Sequence, residues 1–91
     1  INSGEPMFLT SEHIQSVATD LLPSFEVGNL NTRTPRRVVA AAAREALADR
    51  HLPTRRSLCY VVADVARVMW RATVIDTHRM MRAEDAAGGA A

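Results

Sequence analysis

Four arginines in two adjacent pairs, Arg36–Arg37 and Arg55–Arg56, are the residues of this chain best placed to do chemistry. Each pair follows a threonine–proline signal, "NTRTPRR" at 31–37 and "LPTRR" at 52–56, that reads as the start of a helix. A helix N-terminus carries partial positive charge, so an exposed arginine there is disfavoured by about 0.3–1 kcal/mol. A carboxylate one turn downstream would offset that cost. The positions three and four residues on instead hold Val39, Ala40 and Ala41 after the first pair, and Leu58, Cys59 and Tyr60 after the second. The missing counter-charge is therefore an external anion or a carboxylate from another element. Free N–H groups beside guanidinium forks suit phosphate as well as carboxylate.

Other chemistry is poorly supplied. His13, His51 and His78 fall on separate elements, and none has a carboxylate or second histidine three or four residues on. Glu45 and Asp49 share one helical face, an arrangement expected to be solvated. Cys59 sits near a helix start, where thiolate character can be favoured, but on the apolar side. A single cysteine excludes an intrachain disulfide and a cysteine-based zinc site. There is no glycine-rich phosphate loop, zinc-protease signature or nucleophile–base pair. No enzyme activity, cofactor or metal is expected.

Three helices must position the arginines, in an all-α domain over residues 10–82. The first is expected over about 11–22, capped by Thr10 and stapled by Leu9 on Ile14, with Ile14, Val17, Ala18, Leu21 and Leu22 on one face. Pro23 should end it, and 23–34 should be a loop that sends Phe25, Val27 and Leu30 toward the core. The second is expected over 35–50, with Thr34 as cap and Pro35 at its first position. Val39, Ala42, Ala43, Ala46 and Leu47 share one side of it, opposite Arg37, Ala41, Arg44 and Ala48. Arg50 and His51 suit its C-terminus. The third, capped by Thr54, is expected over 55–82. Residues 1–9 form an arm, with Met7 a candidate natural start, and 83–91 a flexible tail.

The third helix is long for so small a domain and apolar over much of its circumference. Leu58, Val61, Val62, Val65, Val68, Met69 and Ala72 form a main stripe, expected to cover the other helices. Cys59, Ala63, Ala66, Trp70, Val74 and Met81 form a second stripe beside it, expected to meet the same helix of a second copy. Tyr60, Asp64, Arg67, Arg71, His78 and Arg82 fill a narrow polar strip. Dimerisation also suits a thin core: 47% of the residues are apolar, but many are alanine and only Phe8, Phe25, Tyr60 and Trp70 are aromatic.

Charge is distributed unevenly around a net +1. Residues 1–32 carry four acids and no arginine, whereas all eleven arginines lie between Arg33 and Arg82 and the chain has no lysine. That basic block calls for an acidic partner. No run is long and apolar enough to span a bilayer and no signal peptide opens the chain, so a cytoplasmic location without membrane association is expected. The order helix, short turn, helix is similar to DNA-binding helix-turn-helix proteins. Leu47 and Ala48 before the turn, and Leu58 and Val61 after it, fall near their packing positions, although "DRHLPT" lacks the usual turn glycine. The resemblance implies that Thr54, Arg55, Arg56, Ser57 and Tyr60 reach bases and phosphates while Arg36, Arg37 and Arg44 touch backbone. The expected function is a dimeric nucleic-acid-binding regulator. The alternative is a helical interaction module or structural homodimer without a nucleic-acid role, its arginines gripping an acidic protein.

Overall fold

The computed structural model describes residues 10–89, and these form three principal helices and one short one, with no strand among them. Helix α1 spans Ser11–Thr19, α2 Leu22–Glu26, α3 Arg36–Asp49 and α4 Arg56–Gly89. The expected arm at 1–9, with the Leu9 staple, lies outside the described residues. No described helix is long and apolar enough to cross a membrane.

Thr10 caps α1 as its sequence predicts, its hydroxyl accepting the His13 N–H at 3.2 Å. Pro23 does not end the ordered region. It occupies the first turn of α2, where its absent N–H leaves no bond unmade. The single expected helix over 11–22 is thus two, and part of the expected loop is helical. Within that segment Phe25 and Leu30 are buried as expected, but Val27 is 72% exposed. Helix α2 stops at Gly28, whose φ of +87° is a left-handed conformation that glycine adopts without a Cβ clash.

Helix α3 begins one residue later than expected, with Pro35 at the cap position. The Thr34 hydroxyl accepts the Asn31 N–H at 2.8 Å, so it closes the preceding turn rather than capping the helix. At the far end the Leu52 N–H bonds the Leu47 carbonyl and the His51 N–H bonds the Ala48 carbonyl, both at 2.9 Å. This is the Schellman arrangement, with Leu52 packed on the core as its apolar clasp. His51 takes the left-handed position, φ +58°, that glycine usually fills. The turn glycine missing from "DRHLPT" is therefore missing where the backbone would favour it. Replacing His51 with Gly should relieve the Cβ strain and stabilise the domain by about 0.5–1 kcal/mol, after allowing for glycine's freer unfolded chain. Thermal unfolding checks this; a lower melting temperature would contradict it.

Helix α4 starts at Arg56 rather than at 55, and the Cys59 N–H bonds the Arg55 carbonyl at 2.9 Å. The expected tail does not begin at Ala83, because the helix continues to Gly89. The run "RAEDAA" is rich in good helix formers, and the glycines that weaken a helix come only after it. At 34 residues α4 is about 51 Å long, against about 21 Å for α3 and 13 Å for α1. Its partners cover only its N-terminal half. The molecule measures 65 × 29 × 17 Å, and its radius of gyration of 17.0 Å exceeds the roughly 12 Å of a compact chain of this length.

The core joins Val17, Ala18, Leu21, Phe25 and Leu30 to Val39, Ala43 and Leu47 of α3 and to Cys59, Val62, Ala63 and Ala66 of α4. Trp70 stacks on Phe25 with centroids 5.8 Å apart. Cys59, Ala63 and Ala66, expected at a dimer contact, are buried within the chain, and so cannot meet a second copy. Of the other residues placed on that stripe, Trp70 and Val74 are half-buried and Met81 is exposed. The main stripe is divided: Val62 is buried and Leu58, Val65 and Met69 pack against the core as expected, but Val61, Val68 and Ala72 face solvent. Small side chains explain why the second stripe turns inward. Ala43 of α3 and Ala63 and Ala66 of α4 leave room for the two backbones to approach closely, whereas a valine face would hold them apart.

Candidate anion-binding site

Two ion-paired clamps fix the helices that carry the arginines. Arg50, at the end of α3, donates to both carboxylate oxygens of Asp20 at 2.7 and 3.0 Å, and to the Ser16 hydroxyl and carbonyl at 2.8 and 3.2 Å. It therefore serves the end of α1 rather than the dipole of its own helix. At the start of α3, Arg36 grips Asp64 of α4 through both oxygens, at 2.9 and 2.7 Å. Arg67 donates to the Thr34 carbonyl just before α3. Together these contacts register the first turn of α3 on the third turn of α4 and its neighbourhood, within the N-terminal half of that helix.

The Arg36–Asp64 pair supplies one of the counter-charges missing from the sequence. The Arg36 hydrogen bonds hold the Asp64 carboxyl below its ordinary range; partial desolvation opposes this, and the charges of Arg36 and Arg67 add to the lowering. A depressed carboxylate pKa stabilises the fold fully above its unfolded value and loses that contribution as pH falls through the folded value. Asp64→Asn should therefore flatten the acid limb of stability against pH in that window. Both partners are well exposed, so the effect is small. Acid unfolding curves that superimpose for the two proteins would contradict it.

Around Tyr60 the geometry is cationic. The Arg36 guanidinium lies 4.7 Å from the ring centroid and that of Arg56 lies 5.7 Å from it, both within cation–π range. Two adjoining depressions share Arg56 and Tyr60. The outer, of about 670 Å³, is lined by Arg36, Ser57 and Val61 as well. The inner, of about 330 Å³, is completed by Arg37, Ala40, Ala41, Arg44, Thr54 and Cys59. Alanines at 40 and 41 keep the inner floor open, so that Arg37 and Arg44 rise from one side and Arg56 from the other.

The structure thus brings together seven of the eight residues that the sequence singled out: Arg36, Arg37, Arg44, Thr54, Arg56, Ser57 and Tyr60. Arg55 is exposed and lines neither depression. Among the described residues Arg37, Arg44 and Arg56 make no ion pair. Neither α3 nor α4 has an acid in its first turn. Cys59 is buried and its thiol points to the Thr54 carbonyl at 3.6 Å, so it contributes floor rather than a reactive group. Thr54 presents that carbonyl at the start of α4 while its side chain lines the groove.

Sequence reasoning missed Asp64 and Arg67 as organisers. A search for acids one turn along the same helix cannot find a partner 28 residues away. The available signal was their place beside Tyr60 on the polar strip of α4. Glu45 and Asp49 line a separate hollow of about 280 Å³ with Asp20, whose carboxylate Arg50 already pairs. No group of acids, histidines and cysteine suited to a metal ion occurs among the described residues.

Fold and site together define a small all-α protein with a cationic groove at the junction of its two longest helices. No known family, curated protein or solved structure matches the chain.

Proposed function

We propose that this is a nucleic-acid-binding helical protein that works as a dimer and grips backbone phosphates in the groove between α3 and α4. The observation that carries this reading is the convergence of Arg37, Arg44 and Arg56 on one open groove, with no intramolecular carboxylate engaging them among the described residues. Guanidinium forks on two helices match the spaced, multiply charged oxygens of a phosphate backbone, and Thr54 and Ser57 add hydroxyl donors at its margin. Arg36, held by Asp64, shapes the outer wall and contributes charge at reduced strength.

A specific observation favours a second reading. Arg36 already binds a carboxylate with both nitrogens of its fork, so the same wall suits aspartate or glutamate side chains of an acidic protein. Competition separates the two. A fluorescent DNA duplex bound at low salt should be displaced by unlabelled duplex or single strand well before poly-glutamate of equal charge. Preferential displacement by poly-glutamate, or no binding of any nucleic acid at low salt, would overturn the nucleic-acid reading and favour the acidic protein.

A further inference from the structure

From beside the body to the start of its free half, α4 carries an apolar stripe that the other elements leave largely open. Val61 and Ile75 are each 44% exposed, Val68 is 68% exposed, and Ala72 is exposed as well. Val65, half-buried at the edge of α1, belongs to the same line. These five residues follow one another at intervals of four, three, four and three. At 100° per residue they fall within an arc of about 80°, on the far side of α4 from Cys59, Val62, Ala63 and Ala66. This is the spacing of a coiled-coil seam, with Val61, Val68 and Ile75 on one heptad position and Val65 and Ala72 on the other.

We infer that the occupant of this stripe is the same stripe of a second copy, lying parallel and in register. Charge complementarity selects that partner and that direction. Arg71 and Asp76 flank the seam on opposite sides, five residues apart. In a parallel pair the residue before one heptad faces the residue after the next seam position on the partner, so Arg71 of each copy meets Asp76 of the other. Among the described residues neither forms an ion pair within its own chain, although Arg79 lies one turn from Asp76. Arg79 and Arg82 take the following seam positions, where like charges splay the helices, so the contact ends at Ile75.

The pairing has a consequence for the groove. Val61 begins the seam and also lines the outer arginine depression. A parallel dimer therefore places both cationic grooves at one end, side by side, whereas an antiparallel one would separate them by the length of the arm. The inference gives residues to the dimeric half of the proposed function and is independent of anion binding.

Light scattering on the whole chain tests it, with helicity followed by circular dichroism. The wild type should have dimer mass, and Val68→Glu and Ile75→Glu should each be monomeric with helicity retained, since both side chains are exposed. Arg71→Glu should weaken the dimer and Arg71→Glu/Asp76→Arg should restore it. Ile75→Cys should cross-link to a copy of itself on mild oxidation, while the wild type, whose one thiol is buried, should not. A monomeric wild type would overturn both the stripe and the dimeric reading. A dimer that survives both glutamate substitutions would overturn the stripe alone. A dimer lost on both substitutions but without the Ile75→Cys cross-link would overturn the parallel register.

Discussion

Leu47→Ala should destabilise the domain by about 2–5 kcal/mol, enough to leave a large unfolded fraction at moderate temperature. Leu47 is fully buried and, with Val17, Val39 and Val62, is among the largest side chains that are. Most of the other buried residues of α3 and α4 are alanines, whose own burial contributes little per residue, so stability is concentrated in these few larger groups. A chain of 91 residues holds about 5–14 kcal/mol in all. Leu47 also sits three residues inside the Schellman turn, and its carbonyl receives the Leu52 N–H. A cavity there loosens the connection that sets α4 against α3. The expected loss of melting temperature is about 10 °C or more, read by circular dichroism. A loss of only two or three degrees would mean that the core collapses around the vacancy, and that the alanine contacts rather than Leu47 hold the junction.

Arg37→Glu/Arg44→Glu should reduce duplex affinity by about 100-fold or more at low salt while leaving thermal stability nearly unchanged. On the phosphate-binding reading each wild-type guanidinium would supply a charge-assisted contact of about 1.5 kcal/mol, and the two together correspond to that factor before any repulsion from the new carboxylates. Both side chains are exposed at the groove rather than buried in the core, so folding does not depend on them. Arg55→Glu, one residue outside the groove, is the control and should cost much less per charge changed. A control that lost half as much on the logarithmic scale as the double substitution, in proportion to its smaller charge change, would mean that net charge, rather than the groove, determines binding.

Much of this architecture was legible in the residues. Caps and prolines located the helix starts to within one or two positions, and the face of α3 bearing Val39, Ala43 and Leu47 was apparent from its period. The two-sided apolar character of α4 was also visible, but its orientation was not. The wider, valine-rich stripe was expected to face the other helices, yet close approach of alanine-faced helices turned Ala63 and Ala66 to the core with Val62 and left Val61 and Val68 outside. Pro23 misled because the same residue that ends one helix can open another. At the site, the cluster was legible because two helix starts joined by a short turn must lie near each other. The Arg36–Asp64 bond was not, because it depends on which turn of α4 passes the start of α3.

The most direct test of the central claim is duplex affinity measured against salt. With Arg37, Arg44 and Arg56 each neutralising a phosphate, log affinity should fall linearly with log salt concentration at a slope of about −2.7 per copy. The slope should shrink by nearly two when Arg37 and Arg44 become alanine. An affinity unchanged between about 50 and 200 mM salt, or a slope indifferent to those two substitutions, would contradict a phosphate-binding groove.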